Sequence, residues 1–369
     1  MDFDRIISDR AGHIQMSGIR KVFELGKSLK NPVNLSIGQP DFDVPDAVKD
    51  AACDAIRRGE NTYTVTQGIP ELRAKLSAEI ATRLPGQERE VLITSGTSGG
   101  LLLAILATVN PGDEVILFDP YFVAYPHMVT LAGGKSVFID TYPDFQIDVA
   151  KVVAAITPRT KLILFSSPGN PTGVVPHRDA IRDLALLAKS RDILLISDEI
   201  YRHFHYEGVC PSAAEYDANV LVVDGFGKSY GMTGWRLGFA HGPKPIIQEM
   251  AKIQQFTYVC APSMVQRAAI AALDWNPREH VKDYMRKRDM VLQGLRSRYE
   301  ITVPMGAFYV FPKVPHGTAA DFVLRAIQEQ LLIIPGNVFS GRDTHFRVSY
   351  AVGDDTLHRG IEILNRLSH

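Results

Sequence analysis

Lys228 stands in the run Gly225-Phe226-Gly227-Lys228-Ser229-Tyr230-Gly231-Met232-Thr233-Gly234-Trp235-Arg236-Leu237-Gly238. A lysine amine hemmed by glycines can reach a carbonyl carbon, and the arginine eight residues on can hold a phosphate of the same small molecule. Two nucleotide-binding patterns that look similar fail on single letters. The pattern G-x-x-x-x-G-K-[ST] needs glycine where Val222 stands, and G-x-G-x-x-G from Gly225 needs glycine where Tyr230 stands. Alone, a G-x-G-K stretch reads as a flexible turn with a solvated lysine, so other residues must decide.

Three further segments carry suitable groups. Asn170 lies in Pro168-Gly169-Asn170-Pro171-Thr172-Gly173, and Asp198 lies in Ser197-Asp198-Glu199 with Tyr201 just beyond. Ser95-Gly96-Thr97-Ser98-Gly99-Gly100 opens the apolar stretch Leu101 to Val109, so free backbone N–H groups at a helix start can receive a phosphate. Each has a plainer use: an Asn-Pro turn, a helix cap after a strand, a packed aromatic and a simple N-cap.

The elements that must position these groups follow from short apolar runs at Glu114–Phe118, Lys161–Phe165, Ile193–Ser197 and Val220–Val223, separated by helix-like stretches. Runs apolar on both alternating positions are strands buried on both faces, and the helices between them are the crossovers of a mostly parallel sheet. Ligands of open α/β sheets gather beyond the carboxyl ends of the strands, which brings Asn170, Asp198 and Lys228 towards one crevice. After about residue 278 the pattern changes to a long charged helix, Arg278 to Tyr299, and short strands at Phe308–Phe311 and Phe346–Tyr350, a smaller α+β unit.

The chain has 369 residues, long enough for two domains. With 40 Lys plus Arg against 41 Asp plus Glu, nothing in the charge balance favours nucleic acid or an anionic membrane. Cys53, Cys210 and Cys260 form no C-x-x-C, which fits a reducing compartment and argues against zinc; no metal site is expected. The N-terminus has no apolar core of signal-peptide length and no apolar run is long enough to cross a bilayer, so the expectation is a cytoplasmic protein.

Asn170-Pro-Thr-Gly, Asp198 with Tyr201, and the stretch from Gly225 to Gly238 occur in the order and spacing of fold-type I pyridoxal-phosphate enzymes. The chain closely resembles class I and II aminotransferases of the aspartate aminotransferase type, from Asn34-Leu35-Ser36-Ile37-Gly38 to Phe346-Arg347-Val348-Ser349. The resemblance implies a large domain (45-278) with a mostly parallel seven-stranded sheet sandwiched by helices, and a smaller α+β domain (1-44 and 279-369). It implies pyridoxal 5'-phosphate as cofactor and Lys228 as the catalytic Schiff-base lysine and proton carrier. Asp198 then pairs with the pyridine nitrogen, and Tyr201 and Asn170 bond the ring's 3' oxygen. Gly96, Thr97, Ser98 and Arg236 hold the phosphate. Phe122 stacks on the ring. Tyr63 reaches the phosphate of a neighbouring subunit, which makes a homodimer with shared sites. Arg347, with Gly38 and Asn170, grips the substrate carboxylate. Where many such enzymes have serine three residues before the lysine, this chain has Gly225, which implies one lost hydroxyl contact.

The expected reaction is transfer of an amino group from an L-amino acid to a 2-oxo acid by a ping-pong cycle. A carbon-sulfur β-lyase on the same fold is the alternative, and a non-catalytic ligand sensor is disfavoured because no basic cluster and no room for a DNA-binding domain precede Asn34. No lysine or arginine stands out by motif as the second cation a dicarboxylate specialist needs. Aspartate with 2-oxoglutarate, the commonest pairing among such enzymes, stands beside a broad range.

Overall fold

The computed structural model describes the chain apart from residues 4, 15, 17, 27 and 28 and the side chains of residues 20, 21, 23 and 25. The first strand, β1 (Val33–Asn34), belongs to a layer completed only near the other chain end. The central sheet is made of β2 (Glu90–Thr94), β3 (Glu114–Asp119), β4 (Lys135–Asp140), β5 (Thr160–Ser166), β6 (Leu194–Asp198), β7 (Leu221–Gly225) and β8 (Gly238–Gly242). Their order across the sheet is β2-β8-β7-β6-β5-β3-β4. Only β8 runs against its neighbours, so the sheet is seven-stranded and mostly parallel, as the resemblance implies.

The apolar runs become strands for the reason read in them. Alternate residues serve opposite faces: Ile116, Ile163, Leu195 and Val222 enter one core, while Val115, Leu117, Leu162, Leu164, Ile196 and Val223 enter the other. Three strands left no such run. β4 is an edge strand with half-exposed residues, β2 is only five residues long, and β8 is Gly-Phe-Ala-His-Gly, held by its neighbours rather than by its own propensity.

A second core is built from both chain ends. β1 pairs in parallel with β10 (Leu331–Leu332), after β9 (Tyr309–Val310) in sequence. β11 (Ile334–Pro335), β12 (Phe346–Ser349) and β9 form an antiparallel trio in the order β11-β12-β9. Helices Arg278–Leu295, Ala319–Gln328 and Asp354–Leu367 cover them. The charged helix expected to reach Tyr299 ends at Leu295, where its buried stripe of Tyr284, Val291, Leu292 and Leu295 runs out into a turn.

One close approach sets up the site. Gly225 and Gly238 face each other across β7 and β8. A Cβ on Gly238 would fall 2.5 Å from the carbonyl carbon of Gly96 and the amide nitrogen of Thr97. Two facing glycines therefore let the start of helix Gly96–Thr108 settle onto the sheet beside the lysine loop.

Candidate active site

The carboxyl ends of β5, β6 and β7 and the strand β12 surround a cavity of about 320 Å³ lined by Gly38, Gly96, Thr97, Ser98, Phe122, Asn170, Asp198, Tyr201, Lys228, Arg236 and Arg347. Every residue expected from the sequence lines it except Tyr63. That side chain lies on the segment before helix Pro70–Arg83 and is 85% exposed.

Lys228 follows β7 by three residues, and its Nζ donates to the carbonyl of Gly38 at 2.5 Å. Burial, helped by the positive charges of Arg347 and Arg236 and opposed by Asp198, lowers its amine to a pKa of about 8. More of the amine is then free base near neutral pH than for an ordinary lysine, which favours a carbonyl-trapping or proton-moving role.

Asp198 ends β6 and is 4% exposed. Burial raises its carboxyl to a pKa of about 6, with Asp224 and Glu199 adding to the rise. The Tyr125 hydroxyl and the Ile200 N–H act the other way. A helix N-cap is not its use here, because only a single 3-10 turn, Arg202–Phe204, follows. A buried acid poised near 6 suits a partner that carries a proton on nitrogen.

Arg347, on β12, is 1% exposed and closely held. One Nη donates to Asn170 Oδ1 at 2.9 Å and the other to the carbonyl of Ser36 at 2.7 Å. The Tyr309 and Phe339 rings lie 4.6 and 4.8 Å from the guanidinium carbon. Its buried Nε has no partner. A buried charge with an unused donor is costly unless a ligand anion completes it. The Tyr201 hydroxyl shares a 2.8 Å hydrogen bond with that of Tyr309, whose ring lies against Arg347.

At the other wall, Gly96 to Ser98 form the first turn of helix Gly96–Thr108, and their N–H groups have no intrahelical acceptor. Arg236 has a left-handed backbone, φ 55°, and one Nη lies 2.8 Å from where a Cβ of Gly96 would stand. A Cβ at Gly225 would meet Thr97 Oγ1 at 2.7 Å, so Thr97 occupies the space a serine there would need. Phe122 lies edge-on to Tyr125, ring centroids 5.5 Å apart.

Sequence reasoning missed Tyr125, Ser166 and Tyr309, which also line the cavity. Tyr309 is read from the sequence only as a strand residue in Phe308–Phe311, and Tyr125 is not singled out. A tyrosine in an otherwise apolar stretch is the signal, because a buried hydroxyl needs a partner.

The donor set can be tested against the cofactor the resemblance implies. An anion seat of helix N–H groups and an arginine, a buried carboxylate, a free amine and a second arginine with an unused N–H match a phosphorylated pyridine aldehyde plus a substrate carboxylate. The residues fit. Among the described residues no cluster could hold a metal ion, and no helix is long and apolar enough to cross a membrane.

Residues 30–364 match the family model for aminotransferase class I and II. A probable aspartate aminotransferase of Methanocaldococcus jannaschii is 34% identical over 98% of this chain and 100% of that protein. An aspartate/prephenate aminotransferase of Thermus thermophilus is 36% identical, with 94% of each chain covered. The solved aspartate aminotransferase from Thermus thermophilus with maleate superposes with a TM-score of 0.92, covering 98% of this chain and 99% of that one at 35% identity. The chain thus belongs to the class I and II aminotransferases, with their fold-type I architecture, and its cofactor is pyridoxal 5'-phosphate.

Proposed function

We propose that this aminotransferase works by a ping-pong cycle in the single cavity around Lys228, with aspartate and 2-oxoglutarate the first pair to test. The observation that carries the reading is the convergence of Lys228, Asp198, Asn170, Tyr201, Arg236, Arg347 and the Gly96–Ser98 turn on one cavity. The substrate pair is supported by relatives named for aspartate; one named for aromatic amino acids, from Thermococcus litoralis at 31% identity, keeps a broader donor range in play. Lys228, Arg236 and Arg347 are the cavity's cations among the described residues, and all three have other work. Among the described residues no further cation of this chain lines the cavity for a second substrate carboxylate.

When bound, pyridoxal 5'-phosphate supplies a carbonyl that condenses with amines and a ring that accepts electron density as the Cα–H bond breaks. Lys228 Nζ would hold the carbonyl carbon and, once a substrate amine displaces it, would as free base carry the Cα proton to that same carbon. Asp198 would keep a proton on the ring nitrogen. Tyr201 and Asn170 would donate to the 3' oxygen, Phe122 would cover the ring face, and Arg236 with Gly96, Thr97 and Ser98 would hold the phosphate. Arg347 would offer its unpaired Nε–H, with one Nη hydrogen on the same edge, to the substrate carboxylate, beside Gly38.

The exposed Tyr63 has a role if the enzyme is a homodimer in which it reaches the partner's phosphate. We place the enzyme in the cytoplasm and the domain division at residues 44/45 and 278/279. The division is supported by a second core that gathers Val33, Leu35, Tyr309, Phe322 and Leu364 from the two ends.

The test is Lys228→Ala. Turnover should fall by about 10⁴-fold or more, while the variant still takes up the cofactor non-covalently through Arg236 and the helix start. Wild-type turnover in that variant ends the proposal. Single amino acids mixed with holoenzyme, with the cofactor's absorbance followed, then rank the donors.

A further inference from the structure

Tyr125 lies on helix Ala124–Leu131, just past β3, and is 3% exposed. Its hydroxyl donates to Asp198 Oδ2 at 2.7 Å, while the backbone N–H of Ile200 donates to Oδ1 at 3.2 Å. Ser166 also lines the cavity, and its hydroxyl donates to the carbonyl of Pro168 at 3.1 Å. A phenol beside a carboxylate can only donate, and a donor on each oxygen favours the ionised form while leaving each oxygen a lone pair.

We propose that Tyr125 is the positioning residue that keeps Asp198 ionised and aimed at the ring nitrogen of the cofactor. The inference rests on the role given to Asp198 above. Burial pushes the Tyr125 hydroxyl far above its ordinary range, so it stays a proton donor wherever the enzyme works. The other charged or titratable groups acting on Asp198 are Asp224 and Glu199, which oppose its ionisation, and Lys228 across the cavity; Tyr201 adjoins it. Of these side chains only Tyr125 hydrogen-bonds it. Without that donor, the proton shared between the carboxylate and the ring nitrogen shifts towards the carboxylate, and the ring loses the charge that makes it an electron acceptor.

The experiment compares wild type with Tyr125→Phe in two ways. In cofactor-free protein labelled with ¹³C at aspartate carboxyls, the resonance lost in Asp198→Asn is titrated; its midpoint should move up by about one pH unit in Tyr125→Phe. Dissociation constants are then measured for pyridoxal 5'-phosphate and for its analogue with carbon in place of the ring nitrogen. Tyr125→Phe should bind the former about tenfold more weakly and the latter as wild type does. An unmoved titration, or equal weakening for both ligands, overturns the proposal and leaves Tyr125 a packing residue. If Tyr125→Phe does not fold, 3,5-difluorotyrosine at position 125, a stronger donor of the same shape, should move the midpoint down, and no movement overturns it equally. Asp198→Asn binding both ligands like wild type would instead remove the role assigned to Asp198 itself, a failure distinct from an unmoved titration in Tyr125→Phe.

Discussion

Arg236 and Arg347 line the same cavity and are held in contrasting ways. Arg236 is exposed, its guanidinium makes one hydrogen bond, to the carbonyl of Thr233 at 3.1 Å, and a left-handed backbone residue fixes where it starts. Arg347 is buried between two rings, with both Nη groups bonded and burial pulling its pKa down. Water can solvate Arg236 when no anion is present, so its seat costs little to keep open. Arg347 has no such compensation, and its fixed, desolvated donors are worth more to an incoming carboxylate. In the proposed roles, the Arg236 side would hold a cofactor that stays, whereas the Arg347 side would select a substrate that comes and goes.

The sharpest challenge to that contrast is Arg347→Lys, which keeps the charge and removes the fork. It should lower kcat/KM about 100-fold, the equivalent of about 2.7 kcal/mol, with cofactor affinity unchanged. Arg236→Lys should show the opposite pattern: cofactor binding about tenfold weaker, with turnover restored by excess cofactor, since an exposed cation contributes less and helix N–H groups share its task. If Arg236→Lys proved the more damaging of the two in saturating cofactor, the contrast would be reversed. The smallest effect is expected from Gly225→Ser. Although the substitution supplies the hydroxyl many relatives use, Thr97 fills its space, and cofactor binding should weaken roughly threefold instead of tightening.

The same contrast explains what was legible in the sequence. The Arg236 side is local: the lysine loop, the arginine eight residues on and the glycine-rich helix start each carry their own pattern. The buried runs of β3, β5, β6 and β7 were legible because strands covered on both faces cannot hide their composition. The Arg347 side is assembled from partners far apart in the chain. Tyr201 and Tyr309 are separated by 108 residues, and Arg347 and Ser36 by 311. No spacing within one segment encodes such pairs, so Arg347 came from resemblance and Tyr309 and Ser36 were not assigned to the site. The contact of Tyr125 with Asp198, across 73 residues, was missed for the same reason, although Asp198 itself was expected. β8 was illegible because glycines at both of its ends, needed for packing against the helix start, erase the strand signal.

The central claim is that the Lys228 amine is the group that captures the cofactor's carbonyl. It is tested most directly by loading the protein with pyridoxal 5'-phosphate, reducing with borohydride, and mapping the modified residue by peptide mass spectrometry. The account predicts one phosphopyridoxyl group per chain, on Lys228, and none in Lys228→Ala. A stoichiometric label on any other lysine, or none on Lys228, would contradict it.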